Sequence, residues 1–362
     1  MDAVDQSEHY EVTTAEETPS LLSIIIDTNP RAWAALSSNL SLSAALANLL
    51  VFANAHLAFS NANQISVIAA HVDRAVWLYP SPDTEAQRQR ATRPDGDAAA
   101  GVASAGSANK YPQFAHIEST VLASMRKLLA DTNASDLETP TTKLSGALTL
   151  ALCHINKATQ SLSNASAASS LPAAASTAKS STRPPLKGRI LVVSVSDAEP
   201  TQYIPTMNAV FAASHAQVAI DTLSLSGDQT FLQQASFHTN GTFLSAAAHP
   251  QGFLTYLMFG LVADTEARES LVSPAADTVD FRAACFCHGR VVDQGFVCSI
   301  CLSIFCELPD DAECLTCGTK LALGNYGAKP AVVPRKKKKK KRIVNGGGRE
   351  ETGSATGTPR PG

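Results

Sequence analysis

Seven of the chain's eight cysteines fall between Cys285 and Cys317, in the stretch CFCHGRVVDQGFVCSICLSIFCELPDDAECLTC. A Cys-x2-Cys turn presents two thiolates on one side. Cys298/Cys301 and Cys314/Cys317 are two such turns, with twelve residues between them. Two turns complete a tetrahedral zinc shell, and a site with all four positions filled by protein is closed and therefore structural. A segment this short has little apolar core, so bound zinc is expected to supply much of its folding free energy. The N-terminal stretch MDAVDQSEHYEVTTAEE is acidic and shows neither the basic region nor the apolar stretch of a secretory leader. In an intracellular chain such a cluster reads as metal binding, not as a disulfide framework.

Cys285, Cys287, His288 and Cys306 are left over. They form a second candidate group, interleaved with the first in the manner of a RING domain, where the first and third ligand pairs share one metal. The pattern departs from a RING at two points. It starts Cys-x-Cys-His instead of Cys-x2-Cys, and Cys306 has no histidine beside it. The sequence leaves open whether this group holds a second ion, and a RING-like ubiquitin ligase stands as the alternative functional class. Residues 281–320 carry three Lys plus Arg against five acids, a balance of -2. DNA affinity comes largely from neutralising phosphates, so this module is expected to meet a protein partner and to bind DNA little.

Ahead of the cysteines, apolar runs alternate with helical patterns. LLSIII (residues 21–26) is a short β-branched run closed by Asp27, Asn29 and Pro30, and RILVVSVSD (189–197) repeats the design, ending on Asp197. Two runs, QISVIAAHV and RAVWLYP, almost touch and predict a tight hairpin. Helices are predicted over 41–58, 113–131, 142–158, 201–215, 229–236 and 250–264, with further strands at 217–226 and 241–246. This order predicts an α/β fold: a mostly parallel sheet covered by helices on both faces, with one antiparallel hairpin at its edge.

The 362 residues have room for two domains. The expected division is an acidic tail over 1–18, an α/β domain over 19–265, the cysteine module over 280–320 and a basic tail over 321–362. Stretches near 92–111 and 160–187 are rich in Ala, Ser and Pro and poor in bulky apolar residues, so they are expected to be flexible insertions. The first tail holds six acids and no Lys or Arg, and the last holds eleven Lys plus Arg against two Glu. Eight consecutive basic residues, 335–342, fit a nuclear localisation signal. No run of 18 uninterrupted apolar residues exists, so no membrane span is expected.

A carboxylate at the carboxyl end of a central strand is where α/β folds place ligand sites. Asp27 and Asp197 resemble the aspartates of the von Willebrand factor A domain. In that family the first strand ends in Asp-x-Ser-x-Ser, and a Thr and a second Asp arrive from later loops to hold a divalent cation through oxygen ligands. Here the serine positions fall on Asn29 and Arg31, Asp197 matches the later aspartate, and Thr141 or Thr142 lies near the expected threonine. A guanidinium has donors only and a permanent charge. The resemblance therefore implies a vestigial site, with Asp27 bonding the neighbouring loops and Arg31 expected to pair with its carboxylate. No nucleophile and base pair is recognisable, which points to a protein-binding scaffold.

Together, LLSIIIDTNPRAW and CFCH…GFVCSICLSIFC…CLTCG resemble the smaller of the two von Willebrand A-bearing core subunits of the general transcription and DNA repair factor TFIIH. The resemblance covers roughly residues 19–320 apart from the insertions. It implies a nuclear protein without catalytic activity, whose structural zinc sits on Cys298, Cys301, Cys314 and Cys317. It also implies pairing with the larger von Willebrand A and RING-bearing subunit. Other core subunits, including the helicases, would be supported through it in promoter opening and nucleotide excision repair.

Overall fold

The computed structural model describes residues 18–81, 112–138, 141–169, 186–196, 203–226, 229–264, 267–272, 274, 279–288, 290–308 and 312–321. Asp197, the insertion near 92–111 and both tails lie outside the described residues.

Every residue of β1 (Ser20–Asp27) is buried, as a strand covered on both faces requires. It pairs in parallel with β2 (Gln64–Ala70) on one side and β4 (Lys187–Ser194) on the other. With β3 (Ala75–Tyr79), β5 (Ala219–Ser224) and β6 (Phe243–Ser245) the sheet runs β3-β2-β1-β4-β5-β6. Only β2 and β3 are antiparallel, so the predicted hairpin sits at the edge. This is the mostly parallel sheet with an antiparallel edge hairpin that the alternation of elements predicts, and the von Willebrand A-like arrangement that the resemblance implies.

Successive side chains of a strand point to opposite faces, and β1 divides its apolar residues accordingly. Leu22, Ile24 and Ile26 pack with α2 (Leu42–Phe59), α3 (Pro112–Ala130) and the segment from Pro250 to Leu261, through Leu46, Phe52, Val121, Met125 and Phe253. Leu21 and Ile25 pack with α4 (Leu144–Ser169), α5 (Tyr203–His215) and α6 (Thr230–His238), through Leu148, Ile155, Val210 and Leu232. By length and composition α2 could cross a membrane, but its face of Ala45, Leu46, Leu49, Phe52, Ala53 and Leu57 is core. The long α4 passes position 160, where the second insertion was expected to begin. Ala158 and Leu162 continue its apolar stripe against the sheet, which favours helix over the flexibility suggested by the Ser content. The rest of that insertion, 170–185, lies outside the described residues.

A short helix, α1 (Pro30–Leu36), stands outside the predicted helices. The Asn29 side chain accepts from the N–H groups of Arg31 (3.0 Å) and Ala32 (3.3 Å), and proline stands at the first helical turn. Both are strong helix-start signals.

One charged group lies deep in the domain. Asp221, on β5 and 1% exposed, takes a two-pronged bond from Arg268 at 2.7 and 2.8 Å and accepts from the Thr242 N–H at 2.8 Å. Arg189 of β4 approaches it at 3.4 Å and donates to the carbonyls of Leu261 (2.7 Å) and Ala263 (2.6 Å). Burial pulls the Arg189 pKa below its ordinary value, and Asp221 opposes that shift. The group ties two strands to the chain that leaves the sheet.

Candidate metal centre

The C-terminal module is built from tight turns. β7 (Ala283–Ala284) pairs antiparallel with β8 (Val291–Val292), and β9 (Phe296–Val297) with β10 (Ile304–Phe305). Between β9 and β10 the Cys298 N–H donates to the Ser303 carbonyl (3.0 Å) and the Leu302 N–H to the Cys298 carbonyl (2.9 Å). The next turn repeats both bonds, from the Cys314 N–H to the Thr319 carbonyl (2.9 Å) and from the Gly318 N–H to the Cys314 carbonyl (2.8 Å). Leu302 and Gly318 take the same left-handed backbone, φ 60° and 68°, which glycine adopts at no steric cost and leucine does not.

These two turns bring the four predicted ligands together. Cys298 and Cys317 place their sulfurs 3.8 Å apart, Cys301 and Cys314 place theirs 3.5 Å apart, and all four lie within 4.8 Å of one another. Cys298 and Cys314 are buried on Phe305, with Phe286 and Leu321 partly covering the cluster. The Ser303 side chain and backbone bring the Cys301 thiol down to about 6, and Thr319 lowers Cys317 in the same way. Burial pushes Cys314 up to about 11. Metal ligands must be deprotonated, and thiolates this close repel one another without a cation between them. The group is therefore shaped to hold a metal ion. Cys285, Cys287, His288 and Cys306 gather into a second group within the same 4.8 Å limit.

The module is tied to the α/β domain through α6. Gln234 Nε2 donates to the carbonyls of Asp280 (2.8 Å) and Arg282 (2.9 Å), and Thr230 Oγ1 donates to the Asp280 carboxylate (3.2 Å). Phe281 meets Phe237 edge-on, with ring centroids 5.1 Å apart.

At the carboxyl edge of the sheet, Asp27 is 2% exposed. Its Oδ1 accepts from the Asn29 N–H at 3.0 Å, and its Oδ2 from the N–H groups of Val195 (3.1 Å) and Ser196 (2.8 Å) and from the Ser196 hydroxyl. Thr142 Oγ1 lies 3.4 Å from that hydroxyl, so Thr142 is the threonine nearer the old site. The expected pairing with Arg31 is corrected: Arg31 is exposed, and among the described residues no ion pair joins it to Asp27. The cause is α1, whose cap turns Arg31 into its first turn while donors from two loops already fill the carboxylate. A magnesium ion would have to displace those donors. The thermal melt of the unmutated chain is accordingly expected to be the same with magnesium and with chelator, and a magnesium-dependent rise in Tm would overturn this description.

Comparison with known proteins agrees over both parts. A family model described as transcription factor Tfb4 matches residues 19–318. General transcription and DNA repair factor IIH subunit tfb4 of Schizosaccharomyces pombe is 38% identical over 309 residues, 85% of this chain and 91% of that protein. The corresponding subunit of Yarrowia lipolytica is 36% identical, covering 93% of this chain and 98% of its own length. The crystal structure of the TFIIH p34 N-terminal domain matches with a TM-score of 0.54 at 52% identity, covering 68% of this chain and 99% of that one.

Proposed function

The chain belongs to the transcription factor Tfb4 family, and from that premise we propose that it is a non-catalytic structural subunit of the TFIIH core. In this reading it acts by protein–protein scaffolding in RNA polymerase II promoter opening and in nucleotide excision repair. The observation that carries it is the saturated Asp27. The sheet's ligand position is filled from within by Asn29, Val195 and Ser196, leaving the domain as a rigid body for partners to grip. Its partners are the larger von Willebrand A and RING-bearing subunit and, through the assembled core, the helicases. Its place is the nucleus, with residues 335–342 as the import signal.

Within this function Cys298, Cys301, Cys314 and Cys317 would hold a structural zinc ion. A four-thiolate set is a preferred closed shell for zinc, and hard cations such as magnesium prefer oxygen. Zinc supplies the module with its stability and no reactive position.

Affinity purification of the tagged chain from nuclear extract tests the assignment. TFIIH core subunits are expected to co-elute in fixed ratio, and elution without them would refute it. A reconstituted ubiquitin-transfer assay addresses the ligase alternative, which requires chain formation that depends on Cys298.

A further inference from the structure

The three turns of the module share one geometry. The residue before each first cysteine pairs with the residue seven positions on: Ala284 with Val291, Val297 with Ile304, and Glu313 with Lys320. Each first cysteine donates its N–H to the carbonyl five residues on, from Cys285 to Arg290 (2.8 Å), Cys298 to Ser303 (3.0 Å) and Cys314 to Thr319 (2.9 Å). In the second and third turns the position three residues after that cysteine is a ligand, Cys301 or Cys317. In the first turn that position is His288. The first turn is thus a third knuckle, spelled Cys-x2-His.

This knuckle, which carries a further cysteine at Cys287, faces Cys306, which follows β10. His288 Nδ1 lies 3.1 Å from Cys306 Sγ, and Cys287 Sγ lies 3.3 Å from it. Cys285 Sγ accepts from the Arg290 N–H at 3.4 Å. The four ligand atoms lie within 4.8 Å of one another. We propose that Cys285, Cys287, His288 and Cys306 hold a second structural zinc ion, interleaved along the chain with the four-cysteine centre. Three thiolates and an imidazole are an established closed zinc set, and their softness disfavours magnesium and calcium.

The chain around the group supports the assignment. The Phe286 N–H donates to the Ile304 carbonyl (2.7 Å), and Phe286 lies edge-on to the fully buried Phe305. The first hairpin is therefore already laid against the second, where its ligands meet Cys306. The second hairpin contributes Cys298 and Cys301 to one ion and leads directly into Cys306 of the other. Each ion clamps two hairpins, and the middle hairpin is common to both.

The proposal goes beyond the four-cysteine centre and does not require it. Full-length chain, purified without chelator and analysed by elemental mass spectrometry, is expected to carry two zinc ions per molecule. Cys306→Ser is expected to carry one. His288→Cys keeps two, and with cobalt in place of zinc its visible absorption should change to that of four-thiolate sites alone. This second variant preserves a complete shell and so guards against a folding failure in the first. A single zinc in the unmutated chain, with Cys285, Cys287 and Cys306 alkylated as fast as free thiols under native conditions, would overturn the proposal. A Cys287–Cys306 disulfide would overturn it equally. If the four-cysteine assignment alone is wrong, one zinc remains that survives Cys314→Ser and is lost in Cys306→Ser.

Discussion

Cys314→Ser is expected to cost the chain one zinc ion and to open residues 298–321 to protease, while the α/β domain keeps its own melting transition. The buried apolar material under the four-cysteine centre is Phe305, with Phe286 and Leu321 only partly covered. Ordering a residue costs roughly 1–2 kcal/mol in backbone entropy, and three such side chains cannot offset that over some two dozen residues. Zinc binding to small modules contributes about 10–16 kcal/mol. Removing one of four thiolates forfeits much of that, and the hydroxyl that replaces it is a poor ligand. Limited proteolysis with mass-spectrometric mapping, run beside a zinc assay, reads the effect. Unchanged zinc content in this variant would show that the ligands have been misassigned.

The second large effect belongs to the sheet. Asp221→Ala removes the carboxylate that faces Arg189 and Arg268, whose side chains are 3% and 9% exposed. Breaking a buried pair from one side typically costs about 3–5 kcal/mol, because a charge is left without its counterion. Here one of the two guanidiniums is already under-satisfied: Arg189 Nε and Nη2 have no hydrogen-bond partner among the described residues. Urea denaturation of Asp221→Ala should show a fall in midpoint of that size. The double variant Asp221→Ala/Arg268→Ala should regain part of it, since one orphaned cation is gone. A loss below about 1 kcal/mol, the range of an exposed pair, would mean that water reaches the group.

The sheet was legible because its central strands are buried on both faces, so LLSIII and ILVV stand out as short, mostly apolar runs. The helices that cover it show their period for the same reason. At α1 two signals overlap in the sequence: Asn29 and Pro30 spell a helix start, while the spacing from Asp27 to Arg31 matches an ion-site motif. Spacing gives the order of side chains, not their direction, and the cap turned Arg31 outward. Asp221, Arg189 and Arg268 are 32 or more residues apart; strand pairing brings the first two together and the chain beyond the sheet brings Arg268, which no local pattern encodes. In the module the four-cysteine set followed directly from two Cys-x2-Cys spacings. The third knuckle carried a comparable signal, Cys-x2-His followed by Gly, but Cys287 between the ligands gave it the look of a different motif.

The clasp at Asp27 bears on what kind of part this domain can be. A switching protein needs two arrangements of similar free energy and a ligand that prefers one of them. Here β1 and the first residues after β4 are stitched together by donors belonging to the chain itself. If the proposed scaffold role holds, ion concentration is expected to leave that edge unchanged. In the proposed scaffold role it works like a machinist's jig, whose value is that its faces keep the same angles whatever surrounds them.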